Sequence, residues 1–200
     1  MPRVHGFDAD GREVLDFMPG HVVDVDTELL SYAQVGAVAR WTRGFHEAVR
    51  GFEHPGPWRY FPVDRPTLVG HNDIAPYNVC FDGDVLVGVF DWDLSGPTTA
   101  LHELAFIAWN CVPLWRDVGA DESARRLVAI ADGYGGLAAR EVLDAVPARI
   151  TRMLDGIPAA AAAGDDGMRR LMTVGEPERS RVSLAALAER MPEIRRRIPS

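Results

Sequence analysis

The sequence predicts an α+β protein: a mostly helical body that carries one small β-hairpin, with a minor strand pair ahead of it. Three observations lead there. Apolar residues over 29–50 recur at mixed three- and four-residue steps, as an amphipathic helix requires, and further helices are expected through the last hundred residues. The turn Asp82-Gly83-Asp84 joins two apolar runs, so residues 79–90 should form a β-hairpin. Pro- and Gly-rich punctuation separates these pieces at 18–20, 51–66 and 95–97.

Taken in order, residues 12–17 read as a short strand, and the turn Asp8-Ala9-Asp10-Gly11 ahead of it suggests a hairpin. Met18-Pro19-Gly20 ends that strand. Asp26 or Thr27 is the expected cap of the helix at 29–50, whose apolar stripe is Leu30, Ala33, Val35, Val38, Trp41, Phe45 and Val49. Residues 51–66 read as an ordered loop. Leu68-Val69 and Val79-Cys80-Phe81 are short strands, and 85–90 is apolar enough to be a buried return strand. Ser95-Gly96-Pro97 is read as a break. Residues 101–112 are apolar nearly all round, which predicts a core helix. Helices follow at 122–133, at 138–163 with a flaw at Pro158, and at 177–197, with the Ala159–Ala163 run as a helix end.

Two hundred residues, 47% hydrophobic and 25% charged, suit one ordinary soluble domain, or one large lobe with a fragment of another. No apolar stretch is long enough to span a bilayer, and residues 1–6 lack the apolar core of a signal peptide, so a cytoplasmic protein with no membrane partner is expected. Cys80 and Cys111 are then expected as reduced, buried thiols. A net charge of −8 leaves no basic excess for a nucleic acid and suits a cationic substrate. All 21 basic residues are arginine, which excludes any mechanism that needs a lysine of this chain.

The chemistry lies in His71-Asn72-Asp73-Ile74-Ala75-Pro76-Tyr77-Asn78 and in Asp91-Trp92-Asp93 after the hairpin. Phosphoryl transfer to a hydroxyl needs a carboxylate to take or orient the proton, and oxygen ligands to hold magnesium on the nucleotide phosphates. The spacing His-x-Asp-x4-Asn matches that of a kinase catalytic loop, with Asn72 in place of arginine. Asp73 would be the base and Asn78 would offer its amide oxygen to magnesium. The hairpin would return Asp91 to the same metal. Each piece alone is an ordinary turn or cap; their order, with a strand-turn-strand between them, is what points to a kinase. His71 is read as holding the loop by a hydrogen bond, Asp82 and Asp84 as turn formers, and His46 as a packed or hydrogen-bonded helix residue, not a metal ligand.

At these residues the chain resembles the aminoglycoside phosphotransferase and choline kinase-like family of small-molecule kinases. Residues 71–78 and Val89-Phe90-Asp91-Trp92-Asp93 carry the resemblance closely. Residues 11–20 are similar to the family's last N-lobe strand and hinge, and 101–109 to its following core helix. The resemblance implies a protein-kinase-like fold: an N-lobe remnant at 1–20, then a mostly helical C-lobe at 21–200 bearing the catalytic hairpin. It implies Asp73 as base, Asn78 and Asp91 as Mg2+ ligands, and Asp93 as a supporting carboxylate. It further implies an adenine-facing backbone at Asp16, Phe17 and Met18, and Glu103 as the brace of the catalytic loop. ATP is the implied donor and a small-molecule hydroxyl the acceptor. Two departures stand against it: the family's lysine and phosphate-covering loop are missing, and Asn72 replaces a glycine frequent in the loop.

Three readings follow. The first is an N-terminally truncated stretch of a small-molecule phosphotransferase. The second is a remnant lobe acting as a binding or regulatory module, expected to self-associate or to take a separate N-lobe partner. The third, a metal-dependent phosphoesterase, lacks a histidine-rich ligand set.

Overall fold

The computed structural model describes residues 2–59 and 63–199. β1 (Val4–Phe7) and β2 (Glu13–Leu15) pair antiparallel around the expected turn at 8–11. The Asp8 carboxylate closes that turn by accepting from the backbone N–H of Asp10 and Arg12, each at 2.9 Å. β2 is shorter than the expected strand, so Asp16, Phe17 and Met18 lie just beyond it. The chain then runs onto a second hairpin, where His21 and Phe81 exchange both backbone hydrogen bonds, at 2.7 and 2.9 Å.

Helix α1 (Tyr32–Ala48) starts later than expected. Ser31, not Asp26 or Thr27, is the cap, and with Gln34 it forms a reciprocal capping box. Asp24 instead closes a separate turn through the N–H of Asp26, at 3.0 Å. Of the loop at 51–66, only 60–62 lies outside the described residues, and the rest holds no helix or strand.

The hairpin of β4 (Val79–Asp82) and β5 (Val85–Val89) turns at Gly83-Asp84, as the turn residues require, with a register shift at Cys80/Phe81. The break expected at 95–97 is instead β6 (Gly96–Thr98), antiparallel to β3 (Leu68–Gly70). Gly-Pro looks like punctuation in sequence. An edge strand of three residues tolerates a proline because its outer side needs no donor.

α2 (Ala100–Cys111) is the central helix, capped by Thr99, and Leu104, Ala105, Ile107 and Ala108 on it are fully buried. α1 packs on α3 (Ala120–Tyr134), and α2 on α4 (Ala139–Ala162). α4 runs unbroken through Pro147 and Pro158. α5 (Asp166–Thr173), which the sequence reading does not contain, is capped by Asp165 and rests on α4. α6 (Glu178–Arg197) lies across α3 and α4. Both cysteines are free and buried. Among the described residues no helix is long and apolar enough to cross a membrane.

Candidate active site

The loop between β3 and β4 is shaped by buried polar contacts. Its first residues are anchored from α2: one oxygen of Glu103 accepts from the backbone N–H of His71 at 2.7 Å and of Asn72 at 3.0 Å. The other oxygen meets the His46 imidazole on α1, whose second nitrogen bonds the Tyr134 hydroxyl at 2.9 Å. Burial alone would raise the Glu103 carboxyl. The His46 imidazole, the Asn72 N–H and nearby His71 outweigh it and hold the group below its usual range. Gly70 is required by this approach, since a Cβ there would stand 2.3 Å from Glu103 Oε2 and 2.5 Å from Thr98 Cγ2.

Asn72 adopts a left-handed conformation, φ 65°, which asparagine tolerates better than most side chains. The same geometry explains why glycine suits this position equally. The Asn72 amide donates to the carbonyls of Leu94 and Gly96, at 3.2 and 3.1 Å, tying the loop to β6. Its own carbonyl accepts from Arg149 on α4 at 2.8 Å. His71 bonds the Phe90 carbonyl through Nε2 at 3.1 Å and accepts the Asp73 N–H at Nδ1 at 3.3 Å. Those bonds select one neutral tautomer, and burial lowers the ring's pKa against the pull of Glu103 and Asp91. Trp92 lies against the same ring, centroids 4.5 Å apart.

Asp73 and Asn78 are joined directly. The Asn78 amide nitrogen donates to Asp73 Oδ2 and to the Asp73 carbonyl, both at 2.9 Å. The Phe90 N–H, in turn, bonds the Asn78 carbonyl at 3.1 Å, which brings the end of β5 beside the loop. Asp91 follows at once, exposed and left-handed at φ 64°. Burial first and the Asp91 carboxylate second push the Asp73 carboxyl up to about 7, while Arg149 and Asn78 pull it down.

The remaining candidates sit apart from this pair. Asp93 is exposed and held by the Arg59 guanidinium, which also bonds both oxygens of Asp165, at 2.9 and 3.1 Å. Arg59 beside it holds the Asp165 carboxyl at about 2. In the strand-end segment, Asp16 accepts from the Nε2 of His5 at 2.5 Å, Phe17 is 87% exposed, and Met18 lies over Gly88 of the hairpin. The sequence reading missed Arg149 and Arg59. Each is an isolated arginine in helix or loop, and nothing local marks it.

Residues 58–146, which contain the loop, the hairpin and the Asp-Trp-Asp segment, match the model of the phosphotransferase enzyme family. The chain is 30% identical over 145 residues to a trifolitoxin immunity protein of Rhizobium leguminosarum bv. trifolii, an alignment covering 65% of this chain and 54% of that protein. The chain thus spans about half the length of the curated relative it matches. A solved GDP complex of an aminoglycoside 2'-phosphotransferase aligns over 98% of this chain and 74% of its own, at 12% identity and a TM-score of 0.48.

Proposed function

We propose that the chain carries the catalytic half of a small-molecule O-phosphotransferase, which passes the γ-phosphoryl group of ATP to a hydroxyl. The observation that carries this is the direct Asp73–Asn78 bond with the Asp91 carboxylate close enough to raise the Asp73 carboxyl. Asp73 is the base: it accepts the acceptor's hydroxyl proton as the oxygen attacks phosphorus, and ADP leaves. Without metal the carboxyl is lifted to about 7, and a bound cation would lower it, leaving a carboxylate able to accept a proton at neutral pH.

Magnesium fits the donors present. Asn78 spends its amide nitrogen on Asp73, which leaves the amide oxygen for a cation, and Asp91 offers an exposed carboxylate beside another carboxylate. A divalent ion there would relieve the repulsion between them. Among the described residues no three His, Cys, Asp or Glu side chains form a metal cluster by themselves. That suits an ion which keeps several waters and borrows its other ligands from phosphates. When bound, it would supply charge to the phosphate oxygens. Glu103 and His71 hold the loop, and the backbone of 16–18 is assigned to the adenine. We assign the protein to the cytoplasm, with a small-molecule hydroxyl acceptor as partner and not a nucleic acid or a membrane.

The test is magnesium-dependent ATP consumption over a panel of hydroxyl acceptors, with Asp73→Asn alongside. The toxin in the name of the Rhizobium relative adds toxin-like molecules to the panel. Asp73→Asn should lower kcat by about 10²- to 10⁴-fold while still binding MgATP. Undiminished turnover in that variant would remove Asp73 from the chemistry.

A second reading has its own observation. No lysine is present to anchor nucleotide phosphates, and Val4, Phe7, Val14, Leu15 and Phe17 expose apolar surface at one end. We propose as the alternative a binding module completed by a second copy or a separate lobe. MgATP binding without turnover, gained or lost with association, would favour it.

A further inference from the structure

Asp73 can act as a base only if its carboxylate is aimed, and the residue before it is the one in the unusual conformation. Asn72, at φ 65°, turns the chain left-handed between the Glu103 anchor and Asp73. Its backbone N–H is taken by Glu103 on α2, and its side-chain amide nitrogen by the carbonyls of Leu94 and Gly96. Its backbone carbonyl oxygen is held from across the core by Arg149 Nη2 at 2.8 Å.

Arg149 is 1% exposed, and its guanidinium carbon stands 4.4 Å from the centre of the Phe106 ring on α2. Burying a guanidinium is expensive, and packing alone would be served better by a methionine of similar length. A planar cation, however, can stack on a ring with its face and donate from its edge in the same pose, which an ammonium cannot. Arg149 therefore links α4, α2 and the loop through one rigid group. Its charge also acts on the Asp73 carboxyl and draws it down. The groups facing that carboxyl are Asp91 from the hairpin end, Asn78 and Tyr77 from the loop, and Arg149 from α4.

We propose that Arg149 is a positioning residue of the catalytic loop: lying over the Phe106 ring, it locks the left-handed Asn72 peptide and so fixes where Asp73 points. The proposal rests on Asp73 being the base, so its test has one arm that needs no activity. In that arm, amide hydrogen exchange is followed over residues 69–79 in the full chain for wild type, Arg149→Lys, Arg149→Met and Phe106→Leu, with α3 peptides as reference. Exchange at the His71 and Asn72 amides should quicken at least about tenfold in all three variants, with α3 unchanged. In the second arm, magnesium-dependent ATP turnover should lose kcat about tenfold or more while KM for MgATP moves less than about twofold.

Wild-type protection over 69–79 in Arg149→Lys would overturn the proposal, because an ammonium would then serve as well. Protection lost evenly across the chain would also overturn it, by making Arg149 a general core residue. Should Arg149→Met fail to fold, Arg149→Lys and Phe106→Leu decide. If the wild type consumes no ATP, the exchange arm still decides on Arg149, and only the phosphotransfer reading falls.

Discussion

Asp73 carries a carboxyl that burial and the Asp91 carboxylate push up to about 7, from an ordinary 3.8. A group whose folded pKa is raised contributes stability below its unfolded value and loses it as pH rises through the folded one. Without metal, wild type should therefore weaken between pH 4 and 8 on account of this residue. Asp73→Asn, which never ionises, should be more stable than wild type by roughly 1–3 kcal/mol at pH 8, with the difference nearly gone at pH 4. Urea unfolding of both proteins at the two pH values checks it. Glu103 has the opposite sign. Its carboxyl is held below the ordinary 4.5, so its contribution is present above that value and is lost as pH falls through the depressed pKa. Glu103→Ala leaves two loop N–H groups and His46 without their acceptor and should cost about 3–5 kcal/mol. Equal stability of that variant, read from its denaturation midpoint, would contradict the account of the anchor.

The elements differ in how legible they are. The β4–β5 hairpin could be read because its signal is local: Gly83 and Asp84 between apolar runs. The proposed site residues share that advantage, since Asp73, Asn78 and Asp91 fall within one short stretch. β6 could not be read, because its strand character comes only from pairing with β3, nearly thirty residues earlier, and Pro97 disguises it. The same holds for Arg149 and Arg59, which reach the site through tertiary packing. Ser31 is legible as a cap only through Gln34 three residues on, the spacing of a capping box. Packing between helices offers a test at this scale. A Cβ on Gly133 of α3 would lie 2.6 Å from the Gly36 carbonyl oxygen of α1 and 3.0 Å from Ala39 Cβ. Alanine gains about 1 kcal/mol over glycine in a helix interior. The clash is with backbone and cannot rotate away, so Gly133→Ala should still lose about 1–2 kcal/mol net in thermal unfolding. A stabilised variant would mean that α1 and α3 can slide apart freely.

For the whole molecule, exposed apolar side chains gather on the β1–β2 hairpin and, at Leu171, Met172, Val174 and Val182, around α5 and α6. Phe7 is 70% exposed and Phe17 87%, in a stretch that also shows Val4, Val14 and Leu15. Apolar surface gathered at one end favours association. Sedimentation velocity should show concentration-dependent self-association that Phe7→Ser with Phe17→Ser shifts toward monomer; a wild type monomeric at all concentrations would exclude a second copy as the cover. The central claim, that Asp73, Asn78 and Asp91 form one base-and-magnesium site, is tested most directly by carboxyl NMR of Asp73 during pH titration. Without magnesium Asp73 should titrate near 7; with magnesium its pKa should fall by a unit or more, and Asp91→Asn should abolish that response. An Asp73 that titrates near 3.8 and ignores magnesium would contradict it.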